Sequence, residues 1–192
     1  MEAKRKVAVI VGSLRKGSFS RMTAKALCGA AADLDCGILE IGQLQLYNQD
    51  LDEAPPQEWV DFRDRIRAAD AVLFVTPEYN RSVPGVLKNA IDVGSRPYGH
   101  NAFAKKPAAV VSVSPGALAA FGANHHLRQS LTFLDMPTMQ QPEAYIGGIS
   151  KLLDEKGAVV KEETREFLRK IMQSFSAWIE ANAPEGGNVA RG

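Results

Sequence analysis

The sequence has few cysteines, almost no excess of either charge and no long hydrophobic run. Its two cysteines, Cys28 and Cys36, cannot form a disulfide framework, and we expect two reduced, mostly buried thiols. No His-x-x-x-His or Cys-x-x-Cys pattern is present, so we predict no metal site. Lys and Arg number 23 against 22 Asp and Glu, which gives no general attraction to nucleic acid or to an anionic membrane.

Two further absences concern location. No apolar run approaches the ~20 residues that a membrane-spanning helix needs. The apolar run at residues 7–11, behind a basic N-terminus, is too short for a signal peptide, so we expect a soluble cytoplasmic protein. With 45% hydrophobic and 23% charged residues, the composition is that of a globular domain. We predict one domain over residues 1–183 and a flexible, Gly-rich tail over residues 184–192.

Short apolar segments alternate with amphipathic helical segments along the chain. The apolar segments lack polar alternation, which is typical of central parallel strands. Strands are predicted at residues 6–12, 36–41, 71–76 and 108–113, with a weak one at 138–145. Helices are predicted at residues 20–33, 57–69, 85–93, 122–134 and 162–181, the last with an apolar stripe of Phe167, Ile171, Phe175 and Trp178. This order predicts a doubly wound α/β sheet, with function at the loops 12–20, 76–84 and 112–116 beyond the carboxyl ends of the strands.

The first of these loops, residues 12–21, is a candidate anion site. A phosphate can be bound here by the hydroxyls of Ser13, Ser18 and Ser20, by the Arg15 guanidinium and by the start of a helix. An N-cap by Ser18 or Ser20 is the structural alternative. Ser18 stands where a nucleotide P-loop needs lysine, and the dinucleotide pattern G-x-G-x-x-G is absent. The loop therefore favours a single monophosphate group over ATP, GTP or a dinucleotide.

The second loop opens the most informative stretch of the sequence, residues 76–92. Pro77 and Pro84 restrict the loop to a fixed shape, so its backbone groups can meet the edge of a flat heterocycle. Tyr79 can supply an apolar wall and Asn80 an amide that both donates and accepts. A rigid turn with Tyr79 packed on its neighbours is the alternative interpretation.

Three motifs carry a family resemblance: GSLRKGSFSR (12–21), TPEYNRSVPGVLKNAID (76–92) and HLRQSLTFLD (126–135). Over nearly its whole length the chain resembles the NAD(P)H-dependent FMN reductase family, in its branch of quinone and chromate reductases. The resemblance implies a three-layer, flavodoxin-like α/β fold with strand order 2-1-3-4-5 and helices on both faces. It also implies non-covalent FMN, NADPH or NADH as co-substrate, and a homodimer whose loops cover the flavin, often paired into a tetramer.

The resemblance also assigns site residues, and two positions depart from the family pattern. It implies that the phosphate side is held by Ser13, Arg15, Ser18, Phe19 and Ser20. The isoalloxazine would be met, mostly by backbone, by Pro77, Glu78, Tyr79 and Asn80, and closed on the far side by Ser114, Pro115 and Gly116. Arg81 departs from the family and is a candidate for attracting the phosphate of NAD(P)H. Gly122 replaces an arginine of some chromate-reducing relatives, which is linked to their tetramer contacts.

The leading hypothesis is therefore an FMN-dependent oxidoreductase, with no side chain assigned as acid or base. NAD(P)H would pass a hydride to flavin N5, and a quinone, flavin, chromate, azo or nitro compound would then take two electrons by ping-pong kinetics.

A flavodoxin-type electron carrier is the first alternative, although such carriers are usually strongly acidic. A serine hydrolase using residues 112–116 lacks the first glycine of Gly-x-Ser-x-Gly, and an FMN-sensing module is a third alternative. The sequence leaves the acceptor and the preferred nucleotide open.

Overall fold

Five parallel strands form one sheet in the order β2-β1-β3-β4-β5 in the computed structural model, which describes residues 3–183. The strands are β1 (Arg5–Val11), β2 (Leu34–Leu39), β3 (Ala71–Thr76), β4 (Ala108–Val113) and β5 (Ala144–Ile146). The helices are α1 (Phe19–Ala30), α2 (Gln57–Arg67), α3 (Gly85–Ser95), α4 (Phe121–Phe133) and α5 (Glu162–Asn182). Short 3₁₀ turns occupy Gln49–Leu51 and Ile149–Lys151.

Helices cover both faces of the sheet and enclose two apolar clusters. Alternate β1 side chains enter opposite clusters, with Val9 on the α1 and α5 side and Ile10 on the α2, α3 and α4 side. All six residues of β3 and all six of β4 are buried, as a strand covered on both faces requires. The predicted flavodoxin-like order 2-1-3-4-5 with helices on both faces is therefore confirmed.

The sequence places the central strands correctly and the edge strands less well. The predicted strand at 138–145 is wrong in extent, because only Ala144–Ile146 is strand, while Thr138 makes an isolated bridge to Ala108. Pro142 lies between Thr138 and Ala144 and has no N–H to donate to a neighbouring strand. It therefore prevents a continuous strand from Thr138 to Ile146. At the other edge β2 begins at Leu34, so Cys36 is inside the strand and not at its start. Both cysteines are half-buried and not mostly buried.

The closing helix α5 packs through a stripe displaced from the predicted one. Ile171 and Phe175 are buried as expected, and with them Leu168, Met172 and Ile179. Phe167 and Trp178 lie at the border of the contact and are partly buried. The indole N–H of Trp178 donates to the carbonyl oxygen of Pro137 at 2.9 Å, which explains why this ring lies at the border, where its polar atom finds a partner.

Two other features are stated only for residues 3–183. No helix within this range combines the length and hydrophobicity that crossing a bilayer requires. The predicted tail, residues 184–192, lies outside the described residues.

Candidate functional site

Three turns meet at the carboxyl edge of the sheet, after β1, β3 and β4. The first turn is joined to the end of β3, because the Gly12 N–H donates to the Val75 carbonyl oxygen at 2.9 Å. A Cβ at Gly12 would lie 3.0 Å from Thr76 Oγ1 and 3.1 Å from a Leu87 methyl group. A larger residue at this position would therefore require Thr76 or Leu87 to shift by a few tenths of an ångström.

The first turn concentrates hydroxyl groups and positive charge at the start of α1. Ser18 is the N-cap, and its Oγ accepts the Arg21 N–H at 3.2 Å. Ser13, Ser18 and Ser20 are all buried, and no acidic residue occupies the first turn of the helix. Because a capping hydroxyl still has its own proton to donate, the N-cap and the phosphate interpretations of Ser18 are compatible. These residues fit a phosphate group.

Arg15 and its neighbour Lys16 are both exposed cations in this turn. Arg15 makes an aromatic contact. Its guanidinium lies over the ring of Phe19, 5.4 Å from the centroid. That contact gives Phe19 a positioning role, because an aromatic face restricts where the arginine head group lies. The fold thus brings together all five residues predicted for the phosphate side.

An open cavity of ≈ 500 Å³ lies beside the first turn. Glu40 forms one wall, and its carboxylate accepts two hydrogen bonds from the Arg21 guanidinium, one of 3.0 Å. This pairing lowers the pKa of Glu40 and raises that of Arg21. The lining is Ser13, Leu14, Arg15, Lys16, Arg21, Glu40, Gly42 and Gln43. Residues 40–43 are not among the predicted site residues, and they join the first turn because β2 and β1 are neighbours in the sheet.

The second turn, residues 79–82, is a tight reversal. Tyr79 and Ser82 exchange backbone hydrogen bonds of 3.1 and 2.9 Å, and the two residues between them, Asn80 and Arg81, have φ of 50° and 64°. Two consecutive positive φ values are typical of a type I′ turn. The backbone N–H and C=O of Tyr79 close the turn, so its ring is the part of this residue that can contact a ligand, and the residue is 53% exposed. The Asn80 and Arg81 side chains are carried at the tip.

Glu78 connects the second turn to α4. Its Oε2 accepts the Ala123 N–H at 3.0 Å, and its Oε1 accepts a hydrogen bond of 3.2 Å from Arg81. The N-cap residue of α4, Ala120, has no side chain that can cap, so this distant carboxylate satisfies a free N–H in its first turn. Both carboxylate oxygens are thus occupied within the protein, and that Glu78 meets a ligand through its backbone stays a prediction.

The third turn, residues 114–120, is held by hydrogen bonds within the turn and to the ends of β4 and β5. Ser114 Oγ accepts the Gly116 N–H at 3.0 Å, and the Ser114 backbone N–H donates to β5. The buried Ser112 hydroxyl donates to the Ala119 carbonyl oxygen at 2.8 Å and accepts from Asn124 at 3.3 Å. Ala119 has a φ of 52°, a conformation that costs a non-glycine residue about 1–2 kcal/mol. The buried bond from Ser112 holds the turn in that conformation.

The serine hydrolase alternative does not agree with this geometry. His125 pairs with Tyr145 at 3.0 Å and His126 with Ser82 at 2.9 Å, so neither imidazole is hydrogen-bonded to Ser114. Ser112 is completely buried. Among the described residues, the third turn therefore lacks a base to activate a serine.

A buried polar network, not identified from the sequence, holds the segment after β2. Asn89 on α3 accepts the Tyr47 N–H at 2.9 Å and donates to the carbonyl oxygens of Leu44 and Gln45. The Trp59 indole donates to the Gln45 carbonyl oxygen at 3.1 Å. The sequence does carry a signal for this buried network, because Asn89 is a polar residue among the buried Leu87, Ala90 and Ile91 of α3. A buried asparagine needs partners, and here they are backbone groups of a loop.

The fold defines a class, the doubly wound α/β proteins with strand order 2-1-3-4-5, in which ligands bind beyond the carboxyl ends of the strands, where the three turns meet. The comparisons with known proteins agree. The profile described as NADPH-dependent FMN reductase matches residues 5–151, and the chain belongs to this family. Its members use FMN and NAD(P)H, and the residues of the first turn fit the FMN phosphate.

Individual relatives span nearly the full chain. A quinone reductase of Pseudomonas putida is 60% identical over 178 residues, 92% of this chain and 95% of that protein. A 2-hydroxy-1,4-benzoquinone reductase of a Burkholderia species is 44% identical, covering 91% and 96%. Among solved structures, the flavoenzyme NAD(P)H:(acceptor) oxidoreductase FerB of Paracoccus denitrificans has a TM-score of 0.89 at 42% identity, covering 94% of this chain and all of that one.

Proposed function

We propose that this protein is an FMN-dependent NAD(P)H:quinone oxidoreductase. The observation that carries the proposal is the meeting of three rigid turns at one sheet edge, with buried serine hydroxyls and Arg15 at the start of α1. The relatives named quinone reductases support a quinone as the acceptor.

Each turn has a separate task in this proposal. Ser13, Arg15, Ser18 and Ser20, with Phe19 beneath the arginine, bind the FMN phosphate. The isoalloxazine is bordered by Pro77 and Glu78 and by Tyr79 and Asn80 of the second turn, with backbone groups directed at the ring and the Tyr79 ring as an apolar wall. Ser114, Pro115 and Gly116 close the other side. FMN, once bound, supplies the ability to accept a hydride from NAD(P)H and to return two electrons to an acceptor.

The protein contributes position and electrostatics. Glu78 fixes the second turn against α4, so the backbone dipoles there are oriented before the nucleotide arrives. Arg81, 73% exposed in its side chain, is placed to attract the phosphates of NAD(P)H. No described side chain is needed as acid or base, because the acceptor can draw its protons from water.

A test of the function begins with the purified protein. We expect it to be yellow, to bleach on anaerobic addition of NADH or NADPH, and to regain its colour when benzoquinone is added. Steady-state rates with both nucleotides against quinones, free flavin, chromate, azo and nitro compounds should show the parallel double-reciprocal lines of ping-pong kinetics. A colourless protein that ignores added FMN would contradict the proposal. A yellow protein that neither nucleotide bleaches would instead favour the electron carrier.

The same edge supports a proposal about assembly. Tyr79, Leu118 and Phe121 are each more than half exposed and lie on the turns or at the start of α4. A second copy of the chain would cover them, and we propose a homodimer in the cytoplasm that can pair into a tetramer. Sedimentation velocity of the wild-type protein and of Phe121→Asp checks this. We expect a dimer or larger for the wild type and a weakened assembly for the variant, whereas a wild-type monomer would contradict the proposal.

A further inference from the structure

The two cysteines lie together, although they belong to different elements. Cys28 is in the last turn of α1, and only three residues, 31–33, connect that helix to β2, where Cys36 lies. Cys36 is in register with Val7, whose side chain belongs to the cluster between the sheet and α1. Residues paired across parallel strands face the same side, so Cys36 faces α1. Both cysteines pack against this same cluster and both are half-buried.

The two thiols differ in acidity. A hydrogen bond from the Cys36 thiol lowers the pKa of Cys28. The same contact raises the pKa of Cys36, as do burial and the negative charges of Asp35 and Asp33. Since the thiolate is the nucleophile, Cys28 is the attacking sulfur and Cys36 the partner that keeps its proton.

We propose that Cys28 and Cys36 form a modification site, a dithiol that hydrogen peroxide converts reversibly into an intramolecular disulfide. In the first step Cys28 Sγ attacks one peroxide oxygen, the O–O bond breaks, and the hydroxide that leaves takes up a proton to become water. Cys28 is then a sulfenic acid. In the second step Cys36 loses its proton and its Sγ attacks Cys28 Sγ, the S–O bond breaks, and a second water leaves. The dithiol gives up two electrons, and one peroxide becomes two waters.

The pair is well placed to respond to oxidation without damage to the candidate flavin site. Cys28 lies ten residues along α1 from Ser18, which is ~15 Å at the helical rise. The disulfide would tie the end of α1 to an edge strand and leave the first turn unchanged. In a reducing compartment the thiols remain reduced until an oxidant appears, as with other transient cytosolic disulfides. The inference does not depend on the proposed function.

The test uses the full-length protein with bound FMN and two variants, Cys28→Ser and Cys36→Ser. Each is reduced, freed of reductant, exposed to hydrogen peroxide, then denatured and labelled with a maleimide for intact-mass measurement. The wild type should lose both labels together and regain both after dithiothreitol, with FMN retention unchanged. Cys36→Ser should stop at a sulfenic acid that dimedone captures, and Cys28→Ser should react several-fold more slowly.

Peptide mapping of the wild type decides the matter even if a variant folds poorly. A linked peptide pair that joins Cys28 to Cys36 within one chain supports the inference. Retention of both maleimide labels, a disulfide between two chains, or direct passage of either cysteine to sulfinic acid would each overturn it.

Discussion

At the scale of single residues, Arg15 is the cation that we propose binds the phosphate. We expect Arg15→Ala to keep its fold and to lose about tenfold to a hundredfold in FMN affinity, because a charge-assisted hydrogen bond contributes roughly 1.5–3 kcal/mol. Lys25→Ala is the matched control, since Lys25 is an exposed cation on α1, beyond the first turn of that helix. FMN fluorescence titration measures both. Equal affinities of the two variants would remove Arg15 from this role.

Gly122 tests whether the second turn depends on α4. A Cβ here would lie 2.9 Å from Glu78 Oε2 and 2.9 Å from the Arg81 carbonyl oxygen. Gly122→Ala should therefore displace the second turn, cost about 1–3 kcal/mol of unfolding free energy and weaken FMN binding several-fold.

Gly29→Ala is the control for this substitution. Gly29 lies in α1 with nothing within 4 Å of a Cβ, so alanine there should stabilise the helix by about 0.5–1 kcal/mol. Urea unfolding and FMN titration of both variants check the pair. Wild-type FMN affinity in Gly122→Ala would show that the turn adapts freely.

At the scale of elements, Asn89 joins α3 to the long segment after β2. We expect Asn89→Ala to lose about 2–4 kcal/mol of unfolding free energy, since it removes the partner of the Tyr47 N–H and of the Leu44 carbonyl group, while the Gln45 carbonyl group keeps its bond from Trp59. Asn182→Ala, at the end of α5, is the control and should change stability by about 0.5 kcal/mol or less. Urea denaturation compares them, and a similar small change in both would mean that water replaces the amide.

The elements also show what a sequence can predict. β3 and β4 agree residue for residue with the prediction, because each is an apolar run on both faces with a strand-breaking proline just beyond it. β5 is only three residues long and is defined by its pairing with β4, which no local pattern encodes. The N-cap of α1 depends on residues adjacent in sequence, and the sequence predicts it as either Ser18 or Ser20. The Glu78 bond to Ala123 joins residues 45 positions apart, so a single sequence does not reveal it.

At the scale of the whole molecule, the flavin should act as a stabilising ligand. A ligand that binds only the folded chain adds about 2.7 kcal/mol at a hundred times its Kd, which for this size raises Tm by about 5–10 °C. We expect FMN to give this shift in differential scanning fluorimetry. Riboflavin, which lacks the phosphate, should give a clearly smaller one at the same concentration. Equal shifts would place recognition on the ring and not on the first turn.

The side chains of Arg5 and Glu180 are joined by two hydrogen bonds of 2.8 and 3.0 Å, which hold the beginning of β1 against the last turns of α5. That junction lies on the amino side of the sheet, across the full length of the strands from the three turns. A linker attached near either of these residues would anchor the molecule with the three turns directed away from the support. An electrode or bead coated in this way would leave the three turns accessible to dissolved dinucleotides and dyes.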